Sequence, residues 1–368
     1  MKITVKQDEI YEKLNIISDF LGKEEINRCI KLETYQDFLV ASATNGHYSA
    51  KMKITANVSK SGQVVIPGKK LISIIKEVRS DEIKLTKTPS DRLGINADFY
   101  LASYDPDLFP TLPTPDGDKQ KLQIKELLED INKVSFAANK KGDNFTDTIF
   151  FANDLLYASD KYTSATYKSH NCKINLKVPK GIVRSLKCFN GQAVLFIQEN
   201  TFFIKDKDKI FSFQLQRKFG PEDSLRGFLK NEPNKKIVYN LDETDLQELL
   251  IKLRQIRAIH ERVIFKLTDN SIQMAGSSDD QVNFSYKEMK ISPVRFKEEI
   301  IITINIDKLR KILKRVDGCE IIFTGDTKNI HKSKGVIHIF EGDFKVLLLP
   351  IINPKEDEIL KEAYNGRS

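Results

Sequence analysis

The sequence predicts an α+β fold of three tandem domains, each made of two strand-helix units, and two recurring apolar patterns and a recurring basic face predict it. Val5, Ile10, Leu14 and Ile17 set the first pattern; Leu122, Leu127, Ile131 and Val134 repeat it, as do Leu241, Leu246, Leu250 and Leu253. Each set reads as the end of a strand followed by one apolar face of a helix. The second pattern runs through Ile66, Leu71 and Ile74, then Val178, Val183 and Leu186, then Ile304, Leu309 and Ile312. Internal repeats decide architecture before any motif does, so six units in three domains is the expected organisation. Residues 1–115, 116–230 and 231–352 form the domains, with a tail at 353–368.

In the first domain, a strand ending near Val5 feeds a helix. Gln63 to Ile66 is a strand that feeds the helix of Leu71, and Glu82 to Leu85 and Phe99 to Leu101 read as further strands. The breaker-rich stretch from Thr111 to Asp118 then marks a joint. The second domain has helices at Leu127–Val134 and Val183–Leu186 and strands at Ala193–Ile197, Thr201–Ile204 and Ile210–Leu215. A second breaker-rich stretch, Phe219 to Gly227, follows. The third domain repeats the plan with strands at Val263–Leu267, Ile300–Ile304, Glu320–Phe323, Val336–Phe340 and Phe344–Leu349. Asn45-Gly46, Asn190-Gly191, Asp317-Gly318 and Glu341-Gly342-Asp343 supply turn chemistry. Many strands with few helices held to one face make an α+β domain.

With 368 residues and a hydrophobic fraction of 40%, the chain has enough apolar material for two to three cores. Its start, Met1-Lys2-Ile3-Thr4-Val5-Lys6, opens a strand rather than a charged-then-apolar leader, and no apolar run is long enough to span a bilayer, so a cytosolic protein is expected. Cys29, Cys172, Cys188 and Cys319 lack the spacing of a zinc site or a disulfide framework, and read as buried thiols.

The net charge of +8 permits a polyanionic partner. More telling is where the cations sit: Lys69, Lys70, Lys76 and Arg79 interleave with the apolar residues of one helix. Lys180, Arg184 and Lys187 do so on the second, and Lys308, Arg310, Lys311, Lys314 and Arg315 on the third. On a single helix a solvated lysine face is the ordinary explanation; recurrence in all three domains points to phosphate.

Several short segments resemble the bacterial beta sliding clamps, the processivity subunits of replicative DNA polymerase. They are the opening Met1-Lys2-Ile3-Thr4-Val5, then Val65-Ile66-Pro67-Gly68-Lys69-Lys70-Leu71, then Asp107-Leu108-Phe109-Pro110, and the C-terminal Leu347-Leu348-Leu349-Pro350-Ile351. The resemblance implies three DNA-clamp domains with antiparallel sheets outside and helices inside, forming a head-to-tail homodimeric ring around duplex DNA. It further implies a channel surface drawn from Lys69, Lys76, Arg184, Lys187, Lys252, Arg254, Arg257, Lys311, Lys314 and Arg315. Phe99 and Leu101 are expected to meet the partner's Ile256 and Ile259 where the ring closes. A pocket for peptides of the polymerase, the clamp loader and other clamp-binding proteins is implied at Phe145, Ser159, Lys161, Tyr162, Thr163, Ser164, Pro221, Phe228, Leu347, Leu349, Pro350 and Ile351.

The pocket segment departs from the family. Where Thr-Asp-Gly, an aromatic or His, Arg and Leu are usual, the chain has Ser159-Asp160-Lys161-Tyr162-Thr163-Ser164, so a changed peptide preference is expected. The 353–368 segment continues past the family's usual end and reads as a solvated tail. No phosphate-binding loop, dinucleotide turn, nucleophile elbow or His-Glu-x-x-His helix occurs, and His47, His170, His260, His331 and His338 are scattered. No catalysis, cofactor or metal is expected. The competing readings are a metal-dependent nuclease using an acidic pair such as Asp279-Asp280, and a DNA-binding scaffold that forms no ring.

Overall fold

The computed structural model describes residues 1–115, 119–139, 146–169, 175–189, 192–198, 200–215, 237–256, 261–277, 284–324 and 336–349. Its contacts divide the chain into two compact units. One comprises Met1–Glu129 with Ile174–Lys218, the other Asp130–Lys173 with Phe219–Ser368. Six helices are described: α1 (Gln7–Ile17), α2 (Gly68–Glu77), α3 (Ile124–Ser135), α4 (Lys180–Leu186), α5 (Glu243–Gln255) and α6 (Ile306–Leu313). Each follows a strand directly or within a residue or two, as the repeat predicts. Among the described residues, no helix is long and apolar enough to cross a membrane.

The first unit holds two antiparallel sheets. In one, Lys2–Lys6 lies between Asn57–Lys60 and Glu82–Lys87, and the sheet continues through Arg92–Ile95 to an edge at Phe99–Ala102. The other runs from Lys119–Gln123 through Gln192–Gln198, Thr201–Lys205 and Lys209–Gln214, then through Tyr48–Thr55, Phe38–Thr44 and Cys29–Thr34 to Gln63–Pro67. Its middle seam pairs Phe211 with Ala50 and Ser212 with Ser49, whose hydroxyls lie 2.6 Å apart. The sheet therefore crosses the joint predicted at 115/116.

Burial explains the helices. Ile10, Leu14 and Ile17 of α1 are fully buried, and α1 packs on α2 and on the strand Tyr48–Thr55. The second pattern needs one correction. In α2 the buried partner of Leu71 is Ile75, while Ile74 is only half-buried, because a step of four keeps the helix stripe on the sheet. Gly68 opens α2, and a Cβ there would stand 2.8 Å from Leu21 Cδ1 and 3.0 Å from Ile30 Cγ1, so a larger residue would have to push these side chains aside. The core is aromatic: Phe20 meets Phe211 at a ring separation of 4.6 Å, and Phe189 meets Phe211 edge-on at 4.8 Å. Each such ring contributes about 2–3 kcal/mol through burial.

In the second unit, Thr148–Ala152, Leu155–Ser159 and Thr163–Lys168 form a meander. Beyond it the sheet continues through Phe344–Leu348, Val336–Glu341 and Cys319–Thr324 to Ile237–Leu241 and the short Arg295–Phe296. A four-stranded sheet, Phe284–Lys290, Ser271–Ser277, Arg262–Leu267 and Ile300–Asn305, completes the unit. α5 packs on α6 and on Phe284–Lys290. It begins with a reciprocal cap: Asp245 N–H donates to Asp242 Oδ1 at 2.9 Å, and Asp242 N–H to Asp245 Oδ2. Asn305 caps α6 by accepting from Lys308 N at 2.9 Å.

Candidate functional site

Each basic helix buries an apolar stripe, Leu71 and Ile75 on α2, Ile182, Val183 and Leu186 on α4, Leu246, Leu250 and Leu253 on α5, and Leu309 and Ile312 on α6, and each carries or is followed by exposed cations. Lys69 and Lys76 on α2, Arg184 and Lys187 at α4, Arg254 on α5, and Lys311 and Lys314 at α6 lie on exposed positions. Lys252 is ion-paired with Glu248 at 3.1 Å. Arg315 is half-buried, its guanidinium 4.7 Å from the Phe136 ring centroid. Arg257 lies outside the described residues. Lys69 and Lys70 also border a cavity of about 670 Å³ whose rim includes Lys23, Arg28, Glu25 and Tyr104.

A second constellation forms where the meander meets the strand Phe344–Leu348. Ser164 lies opposite Leu347 and Thr163 opposite Leu348, which brings segments 159–164 and 347–349 together in one sheet. One row of side chains crosses four strands: Ser159, Ser164, Leu347 and His338. Ser159 and Ser164 share a hydroxyl hydrogen bond at 2.9 Å. Between the strands, Asp160 Oδ1 accepts from Tyr162 N at 3.0 Å and from Thr163 N at 2.7 Å, an Asx turn that leaves the Tyr162 ring 61% exposed. Lys161 completes the turn at φ +79°, a left-handed backbone that the family's glycine would adopt more cheaply. Leu349 N donates to Tyr162 O at 2.8 Å. Phe145, Pro221, Phe228, Pro350 and Ile351 lie outside the described residues.

Two members of this constellation were not anticipated. Lys308 on α6 places its ammonium 2.6 Å from Asp160 Oδ2 and 4.9 Å from the Tyr162 ring centroid. Its partner is 148 residues away, so no local pattern marks it. His338 takes its place through strand register, and the alternation of Val336–Glu341 was the available signal. Burial holds the His338 imidazole down at about 4, neutral at physiological pH.

The third surface is an edge. Phe99–Ala102 is the outermost strand of its sheet, with Phe99 and Tyr100 exposed and Leu101 tucked under it. Ile256, just past α5, is buried within the second unit, and Ile259 lies outside the described residues. Among the described residues no group of three His, Cys, Asp or Glu side chains is placed to hold a metal ion, and Asp279 and Asp280 lie outside them. Cys29, Cys188 and Cys319 are free, and burial pushes their thiols up to about 11, 12 and 12.

Residues 1–113 match the family described as DNA polymerase III beta subunit, N-terminal domain. The fold agrees along nearly the whole chain: the beta subunit of Thermotoga maritima DNA polymerase III superposes with a TM-score of 0.73 and 19% identity, covering 96% of this chain and 99% of that one. Over nearly its whole length the chain has the fold of the bacterial beta clamps. The Caulobacter crescentus beta sliding clamp superposes with a TM-score of 0.76 at 16% identity over 96% of this chain and all of that one. A Helicobacter pylori beta clamp, solved with a DNA ligase peptide bound, gives 0.71 at 17% identity, over 95% of this chain and all of that one. In sequence, the Staphylococcus aureus beta sliding clamp is 25% identical over 154 residues, which is 38% of this chain and 41% of that protein. The chain thus spans about two-fifths of the length of the curated relatives it matches.

Proposed function

We propose that the protein is a DNA sliding clamp: two copies close head to tail around duplex DNA and tether a replicative polymerase and other DNA-processing proteins. The observation that carries this reading is the beta-clamp fold running through 95% or more of the chain on a sequence whose first 113 residues match the family. Each copy contributes clamp domains 1–115, 116–230 and 231–352, with 353–368 as a tail.

The channel is lined by Lys69, Lys76, Arg184, Lys187, Lys252, Arg254, Arg257, Lys311, Lys314 and Arg315. Their contacts to phosphate are sequence-independent and exchangeable, which suits sliding. Retention comes from encirclement, so no single contact need be strong. The ring closes where the edge strand Phe99–Ala102 adds to the partner's sheet, with Phe99 and Leu101 meeting the region of Ile256 and Ile259. Partner proteins dock extended segments on the 159–164 and 347–351 surface, helped by Phe145, Pro221 and Phe228. Holding a polymerase there keeps its local concentration at the primer end high, so brief release is followed by rebinding. The protein itself supplies no catalysis, and its clamp loader and polymerase are the partners expected.

Retention on DNA tests the reading. The protein, with its loader where required, is placed on circular and linear duplexes and washed in high salt. Survival on the circle with loss from free ends is the expected result. Equal loss from both overturns encirclement, and cleavage of the labelled DNA on adding magnesium supports a nuclease instead.

A further inference from the structure

The beta-clamp reading places a peptide site on the turn 159–164; the geometry around that turn goes further. Asp160 uses both carboxylate oxygens. Oδ1 accepts the Tyr162 and Thr163 amides, and Oδ2 meets the Lys308 ammonium at 2.6 Å. The pair is well shielded, with the Asp160 side chain 12% and the Lys308 side chain 26% exposed. Lys308 is fixed from its other end as well, because its own amide is the one capped by Asn305 at the start of α6. Its ammonium also lies over the Tyr162 ring, 4.9 Å from the centroid. The Tyr162 carbonyl, at the far side of the same turn, takes the Leu349 amide. One cation therefore anchors the carboxylate that shapes the turn and the aromatic ring that the turn displays.

We infer that Lys308 is a positioning residue for partner-peptide binding: it holds the Asp160 turn, and with it Tyr162 and Leu349, in the shape that receives an extended peptide with apolar anchors. The inference rests on the peptide-site reading. The left-handed Lys161 makes such support useful, since a non-glycine residue at φ +79° favours other turn shapes when the anchor is lost.

Binding of a labelled peptide copying the DNA ligase segment held by the Helicobacter pylori clamp, followed by fluorescence anisotropy on the full-length protein, tests it. Lys308→Met is expected to weaken binding roughly tenfold, and Lys308→Arg to restore it to within about threefold of the parent. Because the pair is shielded, the gap between parent and Lys308→Met should persist in high salt. In the double variant with Asp160→Asn the losses should fall short of additive. Leu349→Asp serves as the control for the site itself. Loss of binding in Leu349→Asp with undiminished binding in Lys308→Met overturns the role of Lys308 while leaving the site standing. Equal losses in Lys308→Met and Lys308→Arg also overturn it. Full binding by Leu349→Asp overturns the site and the inference together.

Discussion

The Arg315 guanidinium lies over the ring of Phe136, 4.7 Å from its centroid, and its Nη1 donates to the Lys311 carbonyl. Burial lowers its pKa from the ordinary arginine value, although the group stays charged at neutral pH. Lys311 and Lys314, on the same turn of chain, are exposed. Arg315→Ala is therefore expected to cost about 1 kcal/mol of stability with a modest effect on DNA. Lys311→Glu with Lys314→Glu should do the reverse, leaving the melting temperature within a few degrees while shortening the dwell time on DNA circles. Calorimetry and single-molecule dwell times separate the two effects.

His338 predicts an acid-side loss of stability. Its native pKa of about 4 is below its ordinary value of 6.5, with burial as the cause. Between those values the unfolded chain binds a proton that the native protein refuses, so stability falls as pH drops from 6.5 toward 4 and is fully present above. After allowance for its partial exposure the loss is on the order of 1–2 kcal/mol. His338→Gln should flatten that part of the profile in urea titrations at pH 7 and pH 4.5.

Thr163 is 2% exposed and its hydroxyl has no hydrogen-bond partner among the described residues. It faces the same side of the sheet as Leu348, away from Leu347 and Ser164. Thr163→Val keeps the shape and removes the unpaired polar group, so a gain of about 1 kcal/mol is expected in thermal unfolding.

At Lys161, glycine should stabilise the turn by about 1 kcal/mol, because φ +79° is free of steric cost without a Cβ. A fall in melting temperature for Lys161→Gly would show that the lysine side chain matters more than its backbone strain.

Sedimentation of Phe99→Asp checks the ring edge. Phe99 is 40% exposed on an outermost strand, so the variant should fold normally; under the proposed ring the parent should run as a dimer and the variant as a monomer. An unchanged dimer would place the contact elsewhere.

The helices were legible because α1, α3 and α5 each bury the apolar helix residues that the repeat predicts. At α2 the offset rule selected Ile74 and missed Ile75, since a fixed spacing copied from other repeats cannot see which neighbour completes a local turn. The strands Phe38–Thr44 and Tyr48–Thr55 were passed over. Their buried positions are largely Ala, Ser and Thr, so they carry little hydrophobic contrast. The proposed peptide site rests on the family likeness at 159–164 and 347–351. Its completion by Lys308 and His338 depends on sheet pairing and on a helix far along the chain, where periodicity carries no signal.

The seam between Tyr48–Thr55 and Lys209–Gln214 has a practical outcome for anyone wishing to dissect the protein. An expression product stopping at residue 113 would leave five consecutive ladder positions, Tyr48 to Met52, without their mates, as an open edge inviting aggregation. Because each compact unit is assembled from two separate stretches of polypeptide, no single scission liberates either one intact. Proteolysis should therefore yield nicked particles that hold together until denaturant is added.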